Sequence, residues 1–185
     1  MSSSGSTGAK TAKAELGELE AMIAESPTTD NVCRKLAKIL KVRRTEIAVL
    51  RIEKGSLRFI YPAELRSAGV LPLTGSAVAA RTAATKTPLL SNNFMRVKHV
   101  SLFEAVKVTT GDEEEKAAEQ MPIQKIMSVP VISQDGNVVG VVQVSRKGLD
   151  ASLSGADFTS EDMKQLELAA EIIARMPFMK EGAEC

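Results

Sequence analysis

The residues with the strongest intrinsic chemistry are few and far apart. The chain holds one histidine, His99, and two cysteines, Cys33 and Cys185. No Ser/His/Asp set, Cys/His pair or paired carboxylate site can be assembled from them, and two cysteines make neither a disulfide framework nor a complete structural zinc site. His99, between Lys98 and Val100, has the setting of a surface residue, and Cys33 falls beside Val32 on the apolar side of a helix. Thr74-Gly75-Ser76 open a short helix expected over 75–84. Free amides, a glycine and two hydroxyls there could hold an anion, and simple capping by Thr74 or Ser76 has the same pattern. Ser91-Asn92-Asn93 beside Phe94, Val97 and Phe103 mixes a few polar groups with apolar ones, as small-ligand pockets do. A loop pinned to a sheet by two Phe side chains has that composition too. The cluster Lys41, Arg43, Arg44, with Arg34, Lys35 and Lys38 before it, could meet an acidic partner or simply complement a helix C-terminus.

These residues must be positioned by elements legible in the pattern. Residues 1–11 are Ser-, Gly- and Thr-rich and are expected to be an unstructured tail. Leu16, Leu19 and Ile23 predict a helix with a narrow apolar stripe, ended at Ser26-Pro27. Val32, Leu36, Ile39 and Leu40 form the face of a second helix capped at Thr29 or Asp30. The period then becomes two. Residues 46–52 read as a central strand, Lys54-Gly55 as a turn, and 56–61 as a strand with Leu57, Phe59 and Tyr61 on one face. A second hairpin spans 128–133 and 138–145 around Asp135-Gly136, with Pro130 at a strand end or unpaired edge. Thr159 and Asp162 cap a last helix that buries Met163, Leu166, Ala170 and Ile173, stapled by Phe158 and ended before Pro177. Residues 178–185 are expected to fray. About 65 residues between the hairpins are too many for a passive loop.

Composition narrows the function classes. Twenty-four Lys+Arg against 23 Asp+Glu leave a net charge of +1, and aromatics are only 3% of 185 residues. A near-neutral chain with so few stacking platforms is expected to bind no nucleic acid. No apolar run approaches the roughly 18 residues needed to cross a membrane, and no secretory signal opens the chain. One cytoplasmic domain over 12–177 is the expectation.

Two helices, a hairpin, an irregular middle, a second hairpin and a closing helix, carrying SVPVISQDGNVVGVVQVSRKG, FTSEDMKQLELAAEII and LPLTGSAVAARTAATKTPLLSNN in that order, resemble a GAF domain. The resemblance covers about residues 12–177. It implies an α+β fold, profilin- or PAS-like: an antiparallel five- or six-stranded sheet with terminal helices on one face and the irregular middle as a lid on the other. A small-molecule pocket between sheet and lid would then draw on Phe59 and Tyr61, on Thr74, Gly75 and Ser76, and on Asn92, Asn93, Phe94, Phe103 and Met127. No cofactor is identified. Family members commonly dimerise through terminal helices, a use that suits the Leu16–Leu19–Ile23 stripe as well as docking on its own domain does.

The resemblance also implies what to test against. A haem-binding relative would need His99 as axial ligand. Relatives that reduce free methionine sulfoxide need a nucleophilic and a resolving cysteine in the lid, and 71–127 holds none. Covalent bilin attachment lacks its cysteine for the same reason. Of the cyclic-nucleotide signature, Lys147, Phe158 and Asp162 are present, while the Asn and Glu are missing. The expected function is non-catalytic small-molecule sensing by a homodimer that signals to a partner in trans. The alternatives are a structural or dimerisation module with a closed pocket and, further off, a methionine sulfoxide reductase-like enzyme.

Overall fold

The computed structural model describes residues 5–96 and 121–183. His99, Val97 and Phe103 lie outside the described residues. Helix α1 (Gly5–Ala21) begins inside the stretch expected to be unstructured. Leu16 and Leu19 are buried against the rest of the chain, and once that anchor is made, adding further turns toward the N-terminus costs little. The apolar stripe is therefore spent on the protein's own core. Helix α2 (Thr29–Leu40) is capped one residue earlier than expected: the Asn31 amide donates to Thr28 Oγ1 at 3.3 Å. Its buried face contains Val32, Leu36, Ile39 and Leu40, as its spacing predicts.

Among the described residues six strands follow: β1 (Ile47–Glu53), β2 (Ser56–Tyr61), β3 (Val70–Pro72), β4 (Leu89–Ser91), β5 (Ile123–Ile132) and β6 (Val138–Lys147). They pair antiparallel in the order β3-β2-β1-β6-β5-β4, so β1 and β6 are central. Helix α3 (Val78–Thr85) lies between β3 and β4 in the chain, and α4 (Ser160–Ile173) follows β6. Two cores result. One, beneath α1, α2 and α4, contains Ile47, Val49, Met127, Val129, Val142 and Val144. The other, beneath α3, contains Ala48, Leu50, Leu57, Phe59, Ile126 and Val141. This is the expected layering, with the terminal helices on one face.

Strand β2 departs from strict alternation. Val49 pairs with Tyr61 and Leu50 with Phe59, which leaves Ile60 as an extra residue in the ladder. Such a bulge resets which side each following residue faces. Leu57 and Phe59 point under α3, whereas Ile60 and Tyr61 both enter the core on the helix side.

The helix α4 signals hold in detail. Thr159 Oγ1 accepts from the Asp162 amide at 3.1 Å, and Asp162 Oδ2 accepts from the Thr159 amide at 2.8 Å. The C-terminal segment differs from expectation. Phe178 and Met179 are buried, and Arg51 Nη1 donates to the carbonyls of Phe178 at 2.7 Å and Ala183 at 3.0 Å. Residues 177–183 are thus clasped to the sheet. A buried guanidinium in a central strand needs acceptors, and this segment supplies them.

Candidate functional site

The two sheet faces differ in chemistry. On the side of α1, α2 and α4 the central strands present large aliphatic side chains. On the α3 side the same strands present Ala48, Ser128, Gln143 and Ser145, all buried. Cross-strand register sets these side by side: Ala48 pairs with Gln143, Gln143 with Ser128, and Ser145 with Ile126. The glutamine is flanked in its row by Ala48 and Ser128, and along its strand by Ser145. Small side chains thus flank a long polar one. Helix α3 opposes it with Val78, Ala79, Ala80, Thr82 and Ala83, again small.

The polar groups form a directed chain. Thr82 Oγ1 donates to the Val78 carbonyl at 2.9 Å, the back-bond common for threonine inside a helix. Its lone pairs then face Ser128 Oγ at 2.8 Å, so the Ser128 hydroxyl gives its one proton to Thr82. Ser128 in turn accepts from Gln143 Nε2 at 3.3 Å. Nearer the end of the strand, Ser145 Oγ donates to the Glu46 carbonyl at 3.4 Å. The Glu46 carboxylate accepts from the backbone amides of Arg43 at 2.8 Å and Lys147 at 2.9 Å. The Lys147 side chain is itself fully enclosed. Beside α3, a cleft of about 280 Å³ is lined by Arg81, Thr82, Thr85 and Pro88.

The residues singled out from sequence separate into groups. Phe59 and Phe94 meet in the core under α3. Tyr61 and Met127 lie on the opposite face, Tyr61 because of the bulge at Ile60. The Tyr61 hydroxyl donates to the Arg44 carbonyl at 3.2 Å, and burial pushes its phenol pKa up. Helix α3 starts at Val78 rather than 75, after Ala77 as its first flanking residue. Thr74 and Ser76 are exposed in the preceding turn, which the Gly75 amide closes onto the Pro72 carbonyl at 2.9 Å. They do not frame a helix N-terminus. Asn92 uses both halves of its amide on Phe158, donating to its carbonyl at 3.0 Å and accepting from its amide at 2.8 Å. Asn93 is exposed, and its backbone N–H donates to Ser91 Oγ at 3.3 Å. Phe158 lies under the Arg146 guanidinium, 4.8 Å from ring centroid to Cζ. Arg44 pairs with Asp30 at 3.2 Å, the Arg43 guanidinium lies 3.6 Å from Glu46, Arg34 pairs with Asp30 at 2.6 Å and Lys35 pairs with Glu18, so four cations of the basic cluster have structural partners.

Thr82, Ser128, Gln143 and Ser145 were the residues not singled out. Their signal was present: in VVQVS and MSVP a polar residue recurs on one side of strands otherwise apolar enough to be central. Cys33 is buried on the helix side, where burial pushes its thiol pKa up, so it stays protonated. Among the described residues no three His, Cys, Asp or Glu side chains group as a metal site. No described helix is long and apolar enough to cross a membrane.

With this geometry in hand, comparison with known proteins identifies the class. The family model for the GAF domain matches residues 26–176, and the chain belongs to that family. Such domains are generally small-molecule-binding regulatory modules. The GAF domain of an Acinetobacter phosphoenolpyruvate-protein phosphotransferase superposes with a TM-score of 0.64 at 14% identity, over 95% of this chain and 94% of that one. The equivalent domain from Coxiella burnetii gives 0.64 at 11%, over 91% and 93%. Free methionine-R-sulfoxide reductase of Neisseria meningitidis, in complex with its substrate, gives 0.62 at 14%, over 97% and 95%. These likenesses show the fold. A comparison with curated proteins finds no match.

Proposed function

We propose that this GAF domain is a non-catalytic, cytoplasmic sensory module that binds a small molecule on the α3 face of its sheet and passes the signal to a partner in trans. The observation that carries the reading is the buried polar set Thr82, Ser128, Gln143 and Ser145, at the sheet centre among small side chains. A face built only for packing would carry aliphatic residues there, as the other face does, because polar groups gain little from burial. Phe59 and Phe94, in the same core, supply apolar surface for a ligand.

The cysteine chemistry supports a non-catalytic role. Cys33 lies across the sheet from this face, and residues 34–184 contain no other cysteine. A homodimer through the terminal helices would use surfaces other than the Leu16–Leu19 stripe, and Leu168, half exposed on α4, offers one apolar position for it.

Thermal shift against nucleotides, amino acids and small carboxylates tests the reading. A compound at a hundred times its Kd should stabilise by about 2.7 kcal/mol, or roughly 5–10 °C for a domain of this size. Ala48→Leu, which puts a larger side chain beside Gln143, should abolish that shift while the variant still unfolds cooperatively. A flat response across the panel would overturn the sensory role in favour of a closed structural module.

A further inference from the structure

Beyond β4 the outer edge of the sheet is open, and the opening has a defined chemistry. Strand β4 pairs with β5 only as far as Leu89 opposite Ser128. From Val129 to Ile132, β5 has β6 on one side and, among the described residues, no strand on the other. A groove of about 370 Å³ lies there, between the strand edge and α4. Pro88, Pro130 and Ile132 line it with apolar surface, and Glu167 and Glu171 line it from the helix. Exposed apolar side chains continue this surface. Ile132 and Leu90 are each more than a third exposed, and Leu168, next to Glu167 on α4, nearly half. Leu90 pairs with Met127 and so faces the α4 side of the sheet.

Glu167 and Glu171 stand one turn apart on α4, where like charges repel. Among the described residues neither side chain has an ion pair or hydrogen bond. The cation in the lining, Lys86, donates to the Gly136 carbonyl at 3.2 Å, and Arg175, a turn beyond Glu171, is held by Glu20 at 2.7 Å. The groove therefore joins apolar surface to two unanswered carboxylates. A strand is poorly suited to fill it. Pro130 keeps its place in the β5–β6 ladder, so the side on which it lacks an amide is the outer one. The opening takes side chains rather than a backbone.

We infer that this groove docks an amphipathic helix of a partner protein. Its apolar side chains would meet Pro88, Pro130 and Ile132, and two basic side chains one turn apart would meet Glu167 and Glu171. The inference rests on the partner in trans proposed above and needs no ligand on the α3 face. The sign of the charge selects the partner, since an acidic helix would set carboxylates against carboxylates. The same two charges disfavour an anionic lipid surface.

The probes are three synthetic peptides of equal length, titrated into the full chain and followed by amide NMR. One is an amphipathic Leu/Lys helix, one has Glu for every Lys, and one has the Leu/Lys composition in an order without helical periodicity. The Leu/Lys helix should shift the amides of 129–132 and 167–171 and bind more weakly as salt rises. Glu167→Gln with Glu171→Gln should weaken it about fivefold, and Ile132→Gln should weaken it as well. Glu167→Lys with Glu171→Lys should hand the preference to the Leu/Glu helix, a switch that loss of folding does not produce. Urea unfolding confirms that the variants are folded, and either charge variant alone suffices. Equal binding of the Leu/Glu helix to the wild-type chain would overturn the charge chemistry. Equal binding of the non-periodic peptide would overturn the helix. No binding, or shifts confined to other segments, would overturn the groove and leave a ligand-dependent thermal shift standing. A flat ligand panel alongside docking of the Leu/Lys helix refutes the small-molecule reading alone.

Discussion

Arg51→Met removes a buried charge that ties the C-terminal segment to the centre of the sheet. The guanidinium is 4% exposed. Its Nη1 holds the Phe178 carbonyl at 2.7 Å and the Ala183 carbonyl at 3.0 Å, and Nε holds Glu53 Oε1 at 3.0 Å. Hydrogen bonds from a charged donor contribute about 1.5–3 kcal/mol each when buried. The Ala183 contact is partly exposed, and Glu53 keeps Arg58 at 2.9 Å, so these two losses are smaller than that of Phe178. The expected destabilisation is about 2–4 kcal/mol, less than the roughly 5–15 kcal/mol of a typical domain, so the variant folds. Urea denaturation reads the loss, and amide exchange should quicken at 177–183. A pH series adds an independent check. The hydrogen bond from Arg51 holds the Glu53 carboxyl below its ordinary value of 4.5. A depressed folded pKa stabilises fully above the unfolded pKa and ceases to do so as pH falls through the folded one. The gap between wild type and variant should therefore be widest above about pH 5 and shrink as pH falls further. A loss under about 0.5 kcal/mol, with unchanged exchange at 177–183, would refute the clasp.

Two further outcomes follow from close packing. A Cβ on Gly140 would lie 2.2 Å from the Leu50 carbonyl oxygen and 2.5 Å from Met179 Cε. The methionine end can turn away but the strand carbonyl cannot, so Gly140→Ala should cost about 3 kcal/mol or more in urea unfolding. Adding Met179→Ala should restore little, and full recovery would place the clash in the wrong partner. Cys33 should resist a thiol reagent at pH 8 in the folded chain and react as the chain unfolds, followed by mass spectrometry of its peptide. Prompt labelling under native conditions would contradict its burial.

Much of the architecture was legible because local rules and tertiary demands agreed. Thr159 and Asp162 form a cap from their own spacing, and no distant contact opposes it. The β5–β6 hairpin likewise follows from Asp135-Gly136 between apolar strands, with Gly136 at φ +81°. The misread segments depend on partners far along the chain. Residues 178–185 read as a fraying tail, and it is Arg51, well over a hundred positions earlier, that gives the Phe178 and Ala183 carbonyls a donor. Residues 5–11 have weak helix formers and become helical by continuing a helix anchored at Leu16 and Leu19. Asn92 reads as a ligand-facing amide until Phe158, 66 residues on, is seen to occupy both of its ends.

The candidate site shows the same division most sharply. Phe59 and Tyr61 are both candidate pocket residues by sequence, yet an aromatic on a strand carries information only if its face is known. One extra residue at Ile60 separates Phe59 from Tyr61 by the thickness of the sheet, and nothing in SLRFIY marks it. Gln143, Ser128 and Ser145 lie in strands whose pairing keeps them on one face regardless of that bulge. Their polarity in a buried position costs free energy unless hydrogen bonds offset it. In a strand apolar enough to be central, the side that departs from the apolar rule is therefore a better guide to a site than the rarest residue type. By that criterion β6 alone, with Val142 and Val144 facing the terminal helices and Gln143 and Ser145 facing α3, already distinguishes the aliphatic face from the one that buries polar groups.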